Sequence, residues 1–445
     1  MRYDLVVRSR RTVLPNGTRA ASVAVSGGTV VAIADYGQRL DAEQDVDLGE
    51  LALLPGLVDS HVHVNEPGRT DWEGFASATR AAAAGGVTTI CDMPLNSLPP
   101  TVSAAALAEK RTAAAGNVWV DVAFWGGAVP GNSDALRPLH SAGVTGFKCF
   151  LADSGVPEFP PLGQADLRSV LVDLAAMGAL LIVHAEDEAE IRPASGRDFG
   201  AFVASRPPTA ERRAIEKVIA AAAATRARAH IVHLSAADCV AMIAGAKAAG
   251  IQLTAETCPH YLYFAAEQVP DGATEFKCCP PIRNAANREA LWRGLEAGVI
   301  DCVVSDHSPC PPELKAPGTG DFGQAWGGIA SVQLGLSAVW SVARRRGRTL
   351  DDMARWMAAA PARLAGLPAK GRLAVGCDAD LVAFDPDESL VVDAARLLHR
   401  HPVTPYAGRT LTGRVKQTWL RGTALLDADS GRPDGQPTGR LLVRS

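Results

Sequence analysis

The chain has 445 residues, of which 47% are hydrophobic and 21% charged, with a formal net charge of −4 and a pI near 6.2. This composition is typical of a globular protein with a large buried core, and it lacks the basic character of nucleic-acid-binding proteins. We find no run of 18 apolar residues and no apolar leader, because Asp4 precedes only Leu5-Val6-Val7. We therefore expect no nucleic-acid partner, no membrane span and no secretory signal, and we place the protein in the cytoplasm.

The nine cysteines show no C-x-x-C pair and no regular spacing. Several, such as Cys91, Cys149 and Cys302, stand inside apolar, strand-like runs. Buried free thiols in a reducing compartment are therefore the favoured interpretation, and zinc ligation by thiolates is the minor one.

The two ends of the chain predict short strands rather than helices. These are 3–9, 20–25 and 29–33 near the N-terminus, with Ser26-Gly27-Gly28 as a hairpin turn, and 380–384, 414–421 and 423–427 near the C-terminus. Neither end is long enough to build a core alone. We therefore pair 1–53 with 366–445 as one small, β-sandwich-like domain.

Between these ends, β-rich runs alternate with longer Ala/Leu-rich helical segments. Strands are predicted at 54–62, 87–93, 118–125, 146–151, 180–185, 228–234, 251–257 and 300–305, and helices at 73–84, 103–115, 164–177, 209–224, 237–249 and 286–297. Eight strand–helix units in series predict an α/β fold, a (β/α)8 TIM barrel over residues 54–365. A doubly wound open sheet is the alternative, but it would need a glycine-rich phosphate loop after its first strand, and this sequence has none there.

Polar residues stand at the end of the first barrel strand, where His61 and His63 close an apolar run. Side chains two apart on a strand point the same way, so both imidazoles would aim at one point, as two ligands of one metal ion must. By itself an H-x-H motif is weak evidence, because two histidines can also line a polar cleft.

Four later strands carry further polar residues in their C-terminal parts: Lys148, His184, His233 and Asp306. Each has a structural explanation when taken alone, as a satisfied core histidine, a snorkelling lysine or a capping aspartate. Together with the H-x-H motif they place six polar groups on the face where barrel enzymes carry their chemistry. Imidazoles and a carboxylate suit divalent zinc, with iron, cobalt or manganese as alternatives.

Lys148 does not fit a metal site as an ammonium, because its charge would repel the cations. A lysine that is desolvated beside cations has a lowered pKa, and its neutral amine can add CO2 to form a carbamate, N6-carboxylysine. The two carbamate oxygens could bridge two metal ions that share a hydroxide, since coordination lowers the pKa of water from about 15.7 to about 7. Asp306 could bind one ion and accept the hydroxide's proton. The chemistry indicated is hydrolysis of an unactivated C–N bond.

These motifs resemble those of the cyclic amidohydrolases, the family of dihydroorotase, hydantoinase/dihydropyrimidinase and allantoinase. The resemblance covers nearly the whole chain, including a β domain built from both termini. The segments most similar to bacterial allantoinases are Glu66-Pro67-Gly68-Arg69, Trp72-Glu73-Gly74, Asp92-Met93-Pro94-Leu95-Asn96, Gly146-Phe147-Lys148-Cys149-Phe150, Glu256-Thr257-Cys258-Pro259-His260-Tyr261, Pro280-Pro281-Ile282-Arg283, 301–313 and Ala325-Trp326-Gly327-Gly328-Ile329. The resemblance implies hydrolysis of allantoin to allantoate in purine catabolism, and a homotetramer.

The resemblance also implies a ligand set for two metal ions. One ion would be held by His61, His63, carbamylated Lys148 and Asp306, and the other by Lys148, His184 and His233. His260 and His307 flank the site in the family without being ligands. We interpret the remaining histidines as surface or structural residues: His140, His230, His399 and His401.

Other members of the family fit less well. Dihydroorotase has an arginine two residues after the H-x-H motif, where this chain has Asn65, and an asparagine where this chain has Cys279. Hydantoinase has a tyrosine a few residues after the metal lysine, where this chain reads Leu151-Ala152-Asp153-Ser154. A non-catalytic scaffold relative is the alternative from a different class, and a metal assay would separate it from an enzyme.

A neutral hydantoin ring needs hydrogen bonds rather than a fixed cation. We therefore expect main-chain groups near Ser305, Cys279 and Gly327 to bind the ring and its ureido side chain. Cys279 replaces the serine that the resemblance to allantoinases leads us to expect.

Overall fold

The structure, a computed structural model, describes residues 2–427 and 429–444. Its strands in the described residues are β1 (Tyr3–Leu14), β2 (Gly17–Ser26), β3 (Thr29–Asp35), β4 (Ala42–Asp47), β5 (Ala52–Pro55), β6 (Leu57–Val62), β7 (Val87–Asp92), β8 (Asp121–Phe124), β9 (Gly126–Gly127), β10 (Phe147–Phe150), β11 (Leu180–His184), β12 (Arg228–Ile231), β13 (Leu253–Thr257), β14 (Cys302–Val303), β15 (Leu381–Val391), β16 (Thr410–Leu420) and β17 (Thr423–Ala424).

The α-helices of the same residues are α1 (Phe75–Ala84), α2 (Ala104–Ala114), α3 (Ser133–Ser141), α4 (Gln164–Met177), α5 (Phe199–Ser205), α6 (Pro208–Thr225), α7 (Val240–Ala248), α8 (Pro259–Tyr263), α9 (Ala285–Glu296), α10 (Gly335–Ala343), α11 (Leu350–Ala354) and α12 (Ala360–Leu364). A π-helical turn at Arg355–Ala359 joins the last two. Every helix in the described part of the chain is too short or too polar to cross a membrane.

The two chain ends form one sheet, as their pairing predicts. Among the described residues it has eight strands in the order β17-β16-β15-β5-β1-β2-β3, with β4 also paired to β1. The junction is the antiparallel pair β5–β15, which connects the N-terminal strands to the C-terminal ones. The predicted hairpin turn lies between β2 and β3, where Gly27 and Gly28 have φ of 59° and 79°. Positive φ at two consecutive residues is what such tight turns require, and glycine adopts it without strain.

Parallel strands β6 to β14 form the barrel, and the predicted (β/α)8 fold with a β-rich terminal domain is confirmed. β8 and β9 are two parts of the third barrel strand and are separated at Trp125. The barrel closes where Val62 of β6 makes a parallel bridge to His307, and the His63 N–H donates to the His307 carbonyl oxygen at 2.8 Å. This closure brings the first and last barrel strands to the same edge.

Several predicted elements differ in extent from the structure, and two of them bear on the site or its surroundings. The strand expected at 300–305 is reduced to Cys302–Val303, because the Ser305 N–H donates to the Asp59 carboxylate and the backbone at Asp306 turns to a left-handed φ of 47°. The helix expected at 237–249 begins with a 3-10 turn at Ala237–Cys239 before α7. The domain boundaries at 53 and 365 stay predictions.

Candidate active site

A cavity of about 560 Å3 opens at the C-terminal ends of the barrel strands. Its walls include all six residues that the sequence predicts as metal ligands: His61, His63, Lys148, His184, His233 and Asp306. All six are buried. They lie at the ends of five strands, or just after them, that are far apart in sequence, and they meet because parallel strands in a barrel end on the same face.

The His61, His63 and Asp306 side chains are close enough to share one ion. His61 Nε2 lies 3.1 Å from Asp306 Oδ1, and His63 Nε2 lies 3.4 Å from the same oxygen. Their candidate ligand atoms all lie within 4.8 Å of one another. His233 lies between this group and His184, with its ring centroid 5.5 Å from that of His61 and 4.6 Å from that of His184.

Backbone strain is concentrated at this site. His233 and Asp306 adopt left-handed φ angles of 38° and 47°, a region that residues other than glycine rarely occupy. Asn96, which also has a positive φ of 72°, accepts a hydrogen bond from His63 Nδ1 at 3.0 Å. Such conformations cost about 1–3 kcal/mol each and cluster at functional sites, where the surrounding structure holds them.

Lys148 Nζ and His233 Nδ1 are buried without a hydrogen-bond partner among the described residues. His61 Nε2 is also buried, and it lies 3.1 Å from the Asp306 carboxylate. The Lys148 ammonium position lies 4.9 Å from the centre of the Phe150 ring. Leaving a buried polar group unsatisfied costs about 1–3 kcal/mol, so two such nitrogens in the wall of one cavity indicate a place for a bound group.

Burial controls the protonation of most of these groups. It lowers the pKa of Lys148 to about 8, although the charges of Asp306 and Glu256 oppose the shift. It also lowers the pKa of His63 to about 4 and that of His184 well below its usual value, with the Lys148 charge adding to the effect at His184. These imidazoles are therefore neutral at pH 7, which is the form that binds metals.

At His61 and Asp306, neighbouring charges shift the pKa in the direction opposite to the effect of burial. Burial lowers the pKa of His61, but the carboxylates of Asp306 and Glu256 outweigh it and raise the pKa to about 9. Burial alone would raise the pKa of Asp306, yet the His61 charge holds it well below its usual range. Asp306 is thus a carboxylate at neutral pH, and without metal its negative charge is balanced by the His61 imidazolium.

Carboxylates behind the histidines were missed as site residues in the sequence. Glu256 accepts a hydrogen bond from His61 Nδ1 at 2.5 Å, and Glu186 accepts one from His184 Nε2 at 2.9 Å. These bonds leave His61 Nε2 and His184 Nδ1 as the nitrogens that could bind metal. Glu256 lies between the buried residues Ala255 and Thr257 of β13, so an acid inside an otherwise uncharged strand was the available signal.

The other histidines separate into buried and exposed ones. His230 and His399 are buried, so of the two predicted roles, surface or structural, only the structural role fits them. His307 is buried and lies 3.4 Å from the Glu73 carboxylate, while His260 is wholly buried near the site. The last two, His140 and His401, are partly exposed.

Two of the three predicted substrate contacts lie on the cavity. Cys279 and Gly327 are part of its wall, whereas Ser305 is not. The Ser305 hydroxyl accepts from the His307 N–H, and its carbonyl oxygen accepts from the Ser331 hydroxyl. With its N–H bound to Asp59 as well, Ser305 has its polar groups engaged inside the barrel wall, and its contact with substrate stays a prediction.

Cationic side chains also reach the cavity, and the less exposed ones have hydrogen-bond partners within the protein. Arg206 pairs with Glu186 at 2.5 Å, and Lys277 Nζ donates to the Ala325 carbonyl oxygen at 2.5 Å. Arg192 is exposed at the rim. The Trp326 side chain forms an apolar part of the wall. The cavity wall thus combines charged and neutral hydrogen-bonding groups with apolar surface, which suits a small polar molecule.

The comparisons with known proteins assign the family. The sequence profile of the Amidohydrolase family matches residues 52–425, and the chain belongs to this family. Amidohydrolases generally bind divalent metals, and His61, His63 and Asp306 are candidate ligands for one. The predicted resemblance to amidohydrolases is confirmed.

Within the family, the chain is similar to proteins named allantoinase. It is 54% identical to one from Streptomyces avermitilis, with 99% of each chain covered, and 44% identical to one from Arabidopsis thaliana, with 94% of this chain and 87% of the relative covered. Among solved structures, an L-hydantoinase (dihydropyrimidinase) from Arthrobacter aurescens superposes with a TM-score of 0.93 at 32% identity, covering 99% of this chain and 100% of that one. A dihydropyrimidinase from Brevibacillus agri gives 0.88 at 30% identity, covering 99% and 98%.

Proposed function

We propose that this protein is an allantoinase, which hydrolyses the hydantoin ring of allantoin to allantoate with the help of two divalent metal ions. The observation that carries the proposal is the convergence of His61, His63, Lys148, His184, His233 and Asp306 on one cavity. Identity of 54% and 44% to proteins named allantoinase, over most of both chains, supports the choice of substrate.

The unpartnered buried nitrogens support the metal site. We assign His61, His63 and Asp306 to one ion, preferably zinc, and His184 and His233 to the other. Carbamylated Lys148 would bridge the two, since its Nζ has no hydrogen-bond partner among the described residues. With a pKa of about 8, roughly a quarter of the amine is neutral at pH 7.5, against about 0.1% for a lysine with the ordinary value of about 10.5. The neutral amine is the form that adds CO2.

When bound, the two ions would supply a water of lowered pKa and a Lewis acid for the ring carbonyl. Asp306 is the residue that moves the proton. Its carboxylate is ionised at neutral pH and faces the cavity beside His61 and His63. It takes one proton from the attacking water as the new C–O bond forms, and gives it to the ring nitrogen as the C–N bond breaks. The products are a ureido group and a carboxylic acid, which releases its remaining proton to solvent and becomes the carboxylate of allantoate.

The cavity fits a neutral ring better than an anionic one. The position where dihydroorotase has an arginine is Asn65, whose side-chain amide faces the Pro309 carbonyl oxygen at 3.4 Å. Arg206 is already paired with Glu186, so its charge is balanced inside the protein. We assign hydrogen bonding of the ring to groups around Cys279 and Gly327.

The resemblance also supports a homotetramer in the cytoplasm as part of this proposal. Light scattering coupled to size-exclusion chromatography tests the assembly directly. A mass close to four times 46.5 kDa would agree with it, and the mass of one chain would contradict it.

Turnover of four cyclic amides tests the substrate. Purified protein should open allantoin faster than hydantoin, dihydrouracil or dihydroorotate, and it should reject dihydroorotate by orders of magnitude because its carboxylate would be buried without a partner. Chelator-treated protein is the control and should lose activity on all four. Faster turnover of dihydroorotate or hydantoin would contradict allantoin as substrate while leaving the metal site in place.

A further inference from the structure

Behind the proposed ligands, neighbouring strands β12 and β13 carry a buried row of hydrogen-bonded side chains. Glu256 lies at its centre, with 1% of its side chain exposed. One carboxylate oxygen accepts from His61 Nδ1 at 2.5 Å, and the other accepts from His230 Nε2 at 2.9 Å. His230 is itself held from the far side, because its Nδ1 lies 2.7 Å from the Thr254 hydroxyl. The row thus runs from a proposed metal ligand into the barrel wall.

The same carboxylate also contacts the other half of the site. Glu256 Oε1 accepts the main-chain N–H of His233 at 3.3 Å, and the Glu256 carbonyl oxygen accepts the N–H of Leu234 at 2.8 Å. His233 is one of the two left-handed residues among the proposed ligands. A backbone held in that region needs fixed partners, and Glu256 provides two of them.

We propose that Glu256, supported by His230, is a positioning residue for the whole metal centre. It fixes the ring of His61 through Nδ1 and the backbone of His233 through its N–H, so one buried carboxylate aligns a ligand from each proposed ion. A carboxylate on the far nitrogen of a metal-binding histidine fixes its tautomer and makes it a stronger ligand. The inference rests on the metal site of the proposed function, and it is independent of allantoin as substrate.

A second buried glutamate provides a matched control. Glu211 accepts hydrogen bonds from Arg283 at 2.7 Å and from the N–H groups of Ser235 and Ala236, both at 2.9 Å. It is as buried as Glu256, with 2% exposed, but has no hydrogen bond or ion pair to a proposed ligand among the described residues. Glu211→Gln therefore removes a buried charge from the same barrel without touching the site.

The experiment measures metal affinity rather than activity. Metal-stripped wild type, Glu256→Gln, His230→Phe and Glu211→Gln are titrated with Zn2+ against a chromophoric chelator, and the absorption spectrum of each Co2+-loaded protein is recorded. Glu256→Gln should weaken Zn2+ binding about 10- to 100-fold and change the Co2+ spectrum, which a merely structural role would leave unchanged. His230→Phe should also weaken Zn2+ binding and change the Co2+ spectrum, but by less than Glu256→Gln. Glu211→Gln should keep Zn2+ affinity within about twofold of wild type.

Each other outcome has a definite meaning. Wild-type Zn2+ affinity and an unchanged Co2+ spectrum in Glu256→Gln would overturn the positioning role. If Glu256→Gln does not fold, the test uses Glu256→Asp and His230→Phe instead. Wild-type Zn2+ affinity in both of these variants would overturn the positioning role. Equal weakening in Glu211→Gln would show a general effect of lost charge and would also overturn it. A wild-type chain that binds no Zn2+ or Co2+ at all would instead remove the metal site of the proposed function.

Discussion

Replacing Lys148 with methionine should change stability in opposite directions in the metal-free and metal-loaded protein. Methionine has nearly the length of lysine and fills the same space without an ammonium. In the metal-free protein the Lys148 amine is fully buried and has no hydrogen-bond partner among the described residues, so its charged form is destabilised. In the loaded protein the same amine, as a carbamate, would be the bridge between two ions.

The lowered pKa of Lys148 sets the size of the change in the free energy of unfolding and the pH range in which it occurs. A folded-state pKa of about 8, against about 10.5 in the unfolded chain, means that the folded protein binds its proton less well. The resulting penalty is fully present below pH 8, at about 3 kcal/mol, and it disappears as the pH rises through 10.5. We therefore expect Lys148→Met to raise the free energy of unfolding of the metal-free protein by up to about 3 kcal/mol at pH 7, and by about 1 kcal/mol or less at pH 10.

Urea unfolding of chelator-treated wild type and Lys148→Met at pH 7 and pH 10 measures the first half of this prediction. The second half needs both proteins after incubation with Zn2+ and bicarbonate, where wild type should become the more stable, because the variant binds at least one ion fewer. Elemental analysis of the loaded proteins supplies the ion count. A metal-free variant that is less stable than wild type at pH 7 would show that Lys148 has a good partner, and the reasoning would be wrong.

Three further predictions concern the same cavity. Asp306→Asn should lower kcat at least about 100-fold in steady-state assays, because asparagine cannot take the proton. The variant should keep its fold by circular dichroism, because asparagine tolerates the left-handed φ of 47°. A near-normal kcat would mean that another group moves the proton. Reactivation of metal-stripped protein by Zn2+ should require bicarbonate and should accelerate as the pH rises through about 8, the pKa of Lys148; a rate independent of bicarbonate would contradict carbamylation. Gly328→Ala should strongly lower the midpoint of thermal unfolding, since a Cβ there would lie 2.3 Å from the Ser308 carbonyl oxygen at a φ of 131°. Gly327→Ala, whose Cβ would meet Cys279 Sγ at 3.5 Å, should keep a midpoint close to that of wild type, and equal effects of the two substitutions on the midpoint would refute the steric argument.

The alternation of strands and helices made the barrel predictable, and the barrel made the site predictable. His61 and His233 are 172 positions apart in the sequence, but each stands where an apolar strand ends. Because all barrel strands end on one face, no knowledge of side-chain packing was needed to place these residues together. Their role as ligands stays a prediction, since proximity does not identify an ion.

The groups behind the ligands could not be predicted in the same way. Glu256 contacts His61 from 195 positions away, and Ser305 gives its N–H to Asp59 from 246 positions away. Such partners depend on which side chains face each other across the closed barrel, and strand periodicity does not specify this. The same limit explains why Ser305 was expected on the cavity, since its place at a strand end was visible but its partners were not.

The most direct test of the proposed centre is a crystal structure of the protein loaded with Zn2+ and bicarbonate, with anomalous diffraction recorded at the zinc edge. We predict two anomalous peaks in the cavity, one beside His61, His63 and Asp306 and the other beside His184 and His233. Continuous density for a carboxylate on Lys148 Nζ should lie between them. A single peak, or two peaks with an unmodified Lys148 side chain, would contradict the account of a carbamate-bridged pair.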